Sequence, residues 1–333
     1  MAKITMQDLA ERLGVSRFTV SRALSGGSGV SEETRQRVKK MAEQLGYIPV
    51  NSDRFRDHFK TRNILFMIRK DLLSDQHFWP MVIAGAESAT KKRRLNLIIS
   101  VIEPEEEIDG KLPPTFLQQN IDGALAVGEF HPTFLASLSK QKQPVVLVDV
   151  DGSEYPDTVV THDMQGGVMA TNHLIDLGHR DICFLGDTTL ANSFYRRYQG
   201  FSLALSQAGL VKRQLLPLGY QGWNNSEYKE RLVEAVNTIT GFVCANDLFA
   251  LNLIGFITDA GKKVPDDISV VGFDNINIAA NSSPALTTIH VFKERMGERA
   301  IELLEWRIKS PSAPKETISI GVKFIQRSST AYR

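Results

Sequence analysis

Residues 241–273, GFVCANDLFALNLIGFITDAGKKVPDDISVVGF, hold a short apolar run, a segment of helical periodicity over 246 to 260, and a second apolar run. Runs that are apolar throughout, rather than alternating, read as strands covered on both faces. A helix between two such strands makes a parallel pair joined by a right-handed crossover. The same texture extends towards the N-terminus. ILFMI (64–68), LNLIISVI (95–102), GALAV (123–127), PVVLVD (144–149), TVVTHD (158–163) and ICFLG (182–186) alternate with periodic segments at 78 to 94, 163 to 177 and 194 to 208. Residues 63–333 therefore read as an α/β region long enough to split into two lobes, with ligands expected in the crevice beyond the carboxyl ends of the strands.

The first 49 residues read differently, as three short helices. TMQDLAERLG places Met6, Leu9, Ala10 and Leu13 on one stripe, with Thr5 as N-cap, Asp8 as its capping-box partner and Gly14 as the stop. Ser16 can cap a second helix over 17 to 24, and Ser31 a third with Val38, Met41, Ala42 and Leu45 inward. Periodicity breaks at Pro49, and residues 50–62 are polar and basic, which marks a linker.

Composition limits the function classes. With 333 residues and 42% hydrophobic content the chain is expected to be globular and cytoplasmic. No apolar run reaches the roughly 18 residues of a membrane span, and the polar start is unlike a signal peptide. Cys183 and Cys244 sit in apolar runs and read as small buried hydrophobes rather than a disulfide or zinc pair. The net charge of +1 hides an asymmetry: residues 1–62 carry 12 Lys+Arg against 7 Asp+Glu, and the remainder 27 against 31. An anionic partner for the N-terminal piece accounts for this, as does a basic solvated surface.

The second helix, in GVSRFTVSRAL (14–24), separates the alternatives. At about 100° per residue Arg17, Phe18, Ser21 and Arg22 share one side and Val20, Ala23 and Leu24 the other. A lone amphipathic helix of this kind ordinarily has a solvated face. Here an outward phenylalanine stands beside two arginines, in a basic domain with hydroxyls at Thr5, Ser16, Thr19 and Ser21. That combination points to a helix-turn-helix whose second helix enters the DNA major groove.

The stretch ITMQDLAERLGVSRFTVSRALSGGSGVSEETRQRVKKMAEQLGYIPV resembles the DNA-binding headpiece of the LacI/GalR family of bacterial transcriptional repressors. The resemblance continues through HLIDLGHRDICFLG, RRYQGFSLALSQAGL, the 245–275 stretch, PALTTI and IQRSST, and so spans essentially the whole chain. It implies a homodimer on a pseudo-palindromic operator, associated with the nucleoid when bound. It also implies a two-lobed core of periplasmic-binding-protein type with parallel sheets, regulated by a small effector. By resemblance Arg17, Phe18 and Arg22 read bases, while Thr5, Ser16, Thr19, Ser21, Ser31 and Thr34 meet phosphates. One departure stands in the linker, where family members form a hinge helix with a leucine wedged into the minor groove. This chain has Arg56 at the leucine's place. Phe55 or Phe59 can substitute for it, or Arg56 can enter a narrow minor groove as a cation.

Polar residues at strand ends nominate the effector site: Asp149, Asn246, Asp247 and Asp274, with Arg197 from the helix carrying Gly200. Arg197, Asn246 and Asp274 match the family's effector-contacting positions. Asn246 and Asp247 can equally cap the next helix. Phe78 and Trp79, and Tyr220 or Trp223, are candidate aromatic plates, each with core packing as its alternative. Arg69 and Lys70 end the first strand, where they are either solvated or meet an anionic group such as a sugar phosphate.

His173 and His179 bracket a helix end, where capping or solvation outweighs metal binding. No cofactor or metal is implied, and no nucleotide-binding, zinc-protease or nucleophile-elbow motif is present. A sugar transport receptor would lack the helix-turn-helix, and a carbohydrate-processing enzyme would leave it unexplained. The chain ends some seven residues past the last core strand with no leucine heptads, so a dimer without a coiled-coil tetramer is expected.

Overall fold

The structure is a computed structural model that describes residues 4–25, 28–45, 47, 58–118, 120–150, 157–210, 214–219, 223 and 225–333. It divides into two units, 1–60 and 61–333.

The first unit contains α1 (Met6–Leu13), α2 (Arg17–Ser25) and α3 (Glu32–Gln44). Each begins on a hydroxyl residue. Thr5 and Asp8 exchange the two hydrogen bonds of a capping box, and the Oγ atoms of Ser16 and Ser31 accept from the backbone N–H of Thr19 and Thr34 at 3.0 and 3.2 Å. These side chains satisfy N–H groups that helix geometry leaves without partners. Gly14 ends α1 at φ +65°, a left-handed conformation that glycine adopts without steric cost. Leu9, Val20, Ala23, Val38 and Tyr47 form the small core, so the inward faces are those expected from periodicity.

The second unit is a pair of α/β lobes. The first lobe's sheet has the order β11-β5-β4-β3-β1-β2, with β1 (Asn63–Arg69), β2 (Asn96–Ile102), β3 (Gly123–Val127), β4 (Val145–Val148), β5 (Asp157–Thr161) and β11 (Thr317–Ile320). All its pairings are parallel. The second has the order β12-β10-β9-β8-β6-β7, with β6 (Ile182–Leu185), β7 (Gln214–Leu216), β8 (Gly241–Cys244), β9 (Ser269–Asp274), β10 (Thr287–His290) and β12 (Lys323–Ile325). Only β12 runs antiparallel to its neighbour.

The helices are α4 (Trp79–Lys92), α5 (Pro104–Ile108), α6 (Pro114–Leu117), α7 (Pro132–Ser139), α8 (Asp163–Asp176), α9 (Asn192–Gln207), α10 (Ser226–Thr238), α11 (Asp247–Asp259), α12 (Asn277–Asn281) and α13 (Lys293–Lys309). The chain changes lobe after β5, after β10, where α13 returns to pack on α4 and the first sheet, and between β11 and β12.

Glycines let the major helix pairs approach closely. A Cβ on Gly85 of α4 would lie 1.9 Å from the Glu294 carbonyl oxygen, and one on Gly297 of α13 2.0 Å from that of Val82. The second lobe repeats the device: a Cβ on Gly167 of α8 would lie 2.2 Å from the Arg197 carbonyl oxygen, and one on Gly200 of α9 2.0 Å from that of Met164. Backbone-to-backbone contact at that range admits no side chain.

Every strand expected from an apolar run is present, and β12 lies where the last core strand was expected, whereas the short strands β7, β10 and β11 were not anticipated. Thr61 and Arg62, assigned to the linker by composition, dock on the core: their N–H groups donate to the Asp122 carboxylate at 2.9 and 2.6 Å. Residues 50–57, with Phe55 and Arg56, lie outside the described residues. Cys183 and Cys244 are buried and unbridged, and burial pushes the Cys183 thiol up to about 12. His179 is buried and His173 half-buried. They hold the C-terminal segment, His173 through Thr330 and His179 through Ser269 and the Ala331 carbonyl, because the last residues fold back along α8 and β9. Among the described residues no helix is long and apolar enough to cross a membrane.

Candidate functional site

Two constellations carry chemistry, one in each unit. On α2, Val20 and Ala23 are fully buried while Phe18 is 65% exposed, and Arg17 and Arg22 are exposed beside it. An exposed phenylalanine is costly in water, and here it is partly covered by the guanidinium of Arg22, 4.6 Å above its ring. Arg22 Nη1 also donates to the Ser28 carbonyl at 2.8 Å, whereas Arg17 has no partner among the described residues. Of the hydroxyl residues named for phosphate contact, Ser21 lies mid-helix on α2, and the other five are caps and cap partners at the helix starts. Thr5, Ser16 and Ser31 cap, and Thr19 and Thr34 bond the side chains of Ser16 and Ser31 at 2.9 Å. They therefore cluster at three helix N-termini, where backbone N–H groups and the dipole favour an anion.

The second constellation lines a cavity of about 210 Å³ in the larger unit. Strand ends build it: Arg69 closes β1, Glu129 follows β3, Asp149 follows β4, Asn246 follows β8 and Asp274 closes β9. The second lobe also contributes Ser193, Phe194 and Arg197 from α9, and Phe78 and Trp79 at the start of α4 form an aromatic wall, their rings 4.9 Å apart and edge to face. Asp149, Asp274 and Asn275 have φ of +61°, +102° and +50°, conformations that L-residues rarely adopt. Each such residue costs about 1–3 kcal/mol, and here the turns aim carboxylates at the cavity.

Arg197 is the hub. It is almost completely buried; Nε donates to Asp163 at 2.9 Å, Nη1 to the Ala245 carbonyl at 2.7 Å, and Nη2 pairs with Asp274 at 3.2 Å. The Phe273 ring lies 3.8 Å below the guanidinium. Burial works against its charge, but Asp274, Asp163 and Asp149 outweigh that and hold its pKa above the usual value. The carboxylates are pushed the other way. Burial, and then neighbouring carboxylates, raise Asp149 far above the usual range, while burial raises Asp163 and Asp274 despite Arg197.

Asn246 both lines the cavity and caps α11, accepting from the Phe249 N–H at 2.9 Å. Asp247 is instead a buried strut: it accepts from the Ile276 N–H at 2.8 Å and the Thr288 hydroxyl at 2.5 Å, and burial raises its carboxyl to about 7.

Arg69 lines the cavity but is already engaged. Nε and Nη2 meet Asp71 at 3.0 and 2.6 Å, Nη1 donates to the Glu129 carbonyl at 2.7 Å, and Glu107 stands 3.5 Å from Nε. Lys70 is solvated and paired with Glu103.

Trp223 is not among the lining residues. It follows β7, the outermost strand of its sheet, whereas the cavity lies at the ends of the central strands. Tyr220 lies outside the described residues. Sequence reasoning missed Asp75, Glu129, Asp163, Ser193 and Phe194. Glu129 carried the same signal as Asp149, an acid just past a buried strand. Asp163 carried none, because it was read as the start of a helix.

Comparisons with known proteins bear on both constellations. The family described as bacterial regulatory proteins, lacI family, matches residues 5–50, and a periplasmic binding protein-like domain matches 171–330. The chain is 30% identical over 331 residues to the HTH-type transcriptional repressor PurR of Mannheimia succiniciproducens, covering 98% of both chains. It superposes with a TM-score of 0.70 on the lac repressor dimer bound to operator and the anti-inducer ONPF, at 22% identity over 99% of this chain and all of that one. A LacI family transcriptional regulator from Enterococcus faecium with bound ribose gives a TM-score of 0.68 at 25% identity, over 81% of this chain and 98% of the other.

Proposed function

Because the chain belongs to the lacI family of bacterial regulatory proteins and is a DNA-binding transcriptional repressor rather than an enzyme, we propose that it controls a carbohydrate-utilisation operon through a small sugar held between the core lobes. The observation that carries the reading is the cavity at the strand ends, where Arg197, Asn246, Asp149 and Asp274 stand beside the aromatic pair Phe78 and Trp79. Polar groups able to bond adjacent hydroxyls, set against a flat apolar wall, suit a sugar ring. The ribose bound by the E. faecium relative supports the same class of ligand.

On DNA, α2 lies in the major groove of each half-site of a pseudo-palindromic operator. Arg17, Phe18 and Arg22 contact base edges, and the capped N-termini with Thr5, Ser16, Thr19, Ser21, Ser31 and Thr34 contact phosphates. Residues 50–60 act as the hinge, with Phe55 or Arg56 at the operator centre. A homodimer is supported by β2, an edge strand that exposes Ile99 and Val101. The repressor works in the cytoplasm, at the nucleoid when bound. The sugar binds two lobe arrangements with different affinity, and the hinge is ordered in one of them.

The test is a titration of the full-length repressor on its upstream intergenic DNA, with and without a panel of sugars. A sugar that changes operator affinity at least tenfold and raises Tm supports the proposal; a panel without effect on either refutes the sugar assignment.

A further inference from the structure

Three features of the cavity attract anions, and the protein's own carboxylates already occupy each of them. Arg69 is held by Asp71 and Glu107, and Arg197 by Asp163 and Asp274. The third feature is the N-terminus of α9, a helix of 16 residues. There Glu129 Oε2, from the opposite lobe, accepts from the Asn192 N–H at 3.0 Å. A phosphate or carboxylate on a ligand would have to displace one of these groups, and at Arg197 it would leave a buried carboxylate uncompensated.

The lining as a whole carries more negative than positive groups. Asp71, Asp75, Glu129, Asp149 and Asp274 line the cavity against only Arg69 and Arg197. Outside the lining, Asp163 bonds Arg197, and Lys293 donates to the Asp274 carbonyl. Asp274 is 7% exposed, and its Oδ1 accepts no hydrogen bond, touching only the Arg197 guanidinium as an ion pair. The Asp149 carboxylate has no hydrogen bond among the described residues. Burial raises Glu129, and burial followed by its acidic neighbours raises Asp149, so negative charge is disfavoured on both unless a cation stands beside them. A positive ligand offsets that negative charge and supplies donors to the Asp149 carboxylate and to the Asp274 oxygen that accepts no hydrogen bond. Of the lining rings, Phe78 and Phe194 already face the protein's own cations, Lys293 at 5.8 Å and Arg197 at 5.5 Å, which leaves Trp79 as the ring without one among the described residues. The volume of about 210 Å³ is below the roughly 300–1,000 Å³ of sites for larger ligands, which favours one small ring.

We propose that the effector is an amine-bearing monosaccharide, its ammonium group held between Asp149, Asp274 and Glu129. The proposal rests on the reading of this cavity as a sugar site. Calorimetric titration of the full chain tests it with 2-amino-2-deoxy-glucose, -galactose and -mannose, each beside its parent hexose, its N-acetyl derivative and its 6-phosphate. The amine of at least one stereochemistry binds about 10- to 100-fold tighter than the parent and N-acetyl forms, the 6-phosphates do not bind, and E129Q or D149N narrows the gap to within about threefold. A parent hexose, N-acetyl sugar or phosphate that binds as tightly as the amine overturns the amine assignment and leaves the sugar reading standing. Absence of binding by every compound overturns both. The comparison among ligands is made on the wild-type chain, so it does not depend on the folding of a variant.

Discussion

Replacing Gly200 by alanine should weaken effector binding although residue 200 never touches the ligand. Its Cβ would lie 2.0 Å from the Met164 carbonyl oxygen, 2.9 Å from the Val168 nitrogen and 3.0 Å from the Met164 carbonyl carbon. Real Cβ atoms essentially never come closer than 3.0 Å, so α9 must move from α8 by about 1.0 Å (3.0 less 2.0), and because all three atoms are backbone no rotamer change relieves the clash. Overpacking costs about 3 kcal/mol at the upper end of its usual range, and the better helix propensity of alanine returns about 1 kcal/mol. The net loss of about 2 kcal/mol corresponds to a Tm lower by roughly 4–8 °C.

Arg197 lies one turn before Gly200, and its bonds to Asp163 and the Ala245 carbonyl, 2.9 and 2.7 Å long, do not survive that displacement intact. Effector affinity should fall about tenfold or more. Gly255 in α11 is the control: nothing lies within 4 Å of its Cβ position, and Gly255→Ala should stabilise by about 0.5–1 kcal/mol. Differential scanning calorimetry and effector titration check both variants. If Gly200→Ala melts with or above the wild type and binds the effector normally, the close-packed crossing does not position Arg197.

Asp247 makes stability depend on pH. Its folded pKa of about 7 lies above the ordinary 3.8, so between roughly pH 4 and 7 the native state holds a proton that the unfolded chain has released, and the stability this group contributes is lost as pH rises through that window. Asp247→Asn keeps the Ile276 bond and can donate to the Thr288 hydroxyl. Urea unfolding should show the variant gaining a few kcal/mol on the wild type between pH 4.5 and 7.5; an equal difference at both pH values would rule the idea out. On DNA, replacing Arg22 should relax specificity at one position per half-site by about 1–3 kcal/mol in a binding-site selection assay, and a uniform loss over all sequences would make it a phosphate contact instead. Arg307→Ala strips fully buried Asp157 of two bonds, 2.6 and 2.7 Å long, leaving the Glu316 N–H, and should cost about 3–5 kcal/mol in urea unfolding. A loss below 1 kcal/mol would mean that water replaces the arginine.

The parts legible in the chain are those governed by neighbours three or four residues apart. Thr5 with Asp8, Ser16 with Thr19 and Ser31 with Thr34 are local hydrogen-bond pairs, and so the helix starts were readable in advance. The faces of α2 follow from periodicity alone, and the apolar runs announced the central strands because a strand covered on both sides tolerates little else. The short edge strands β7 and β11 escaped notice because an edge covered on one side needs no such run.

Sequence by itself determined the capped helices, the outward Arg17, Phe18 and Arg22, and the set of strand-end polar residues from which the cavity is drawn. Only the tertiary structure decided how those residues pair. Asp163 reaches Arg197 across 34 positions, Ala245 across 48, and Glu129 meets Asn192 across 63. Arg69 looked available for an anion until its partners Asp71, Glu107 and Glu129 were in place around it. The charge of a buried site is the balance of groups that the chain brings together from distant positions, and in a medium less polar than water each such pairing counts for more than any local pattern can register.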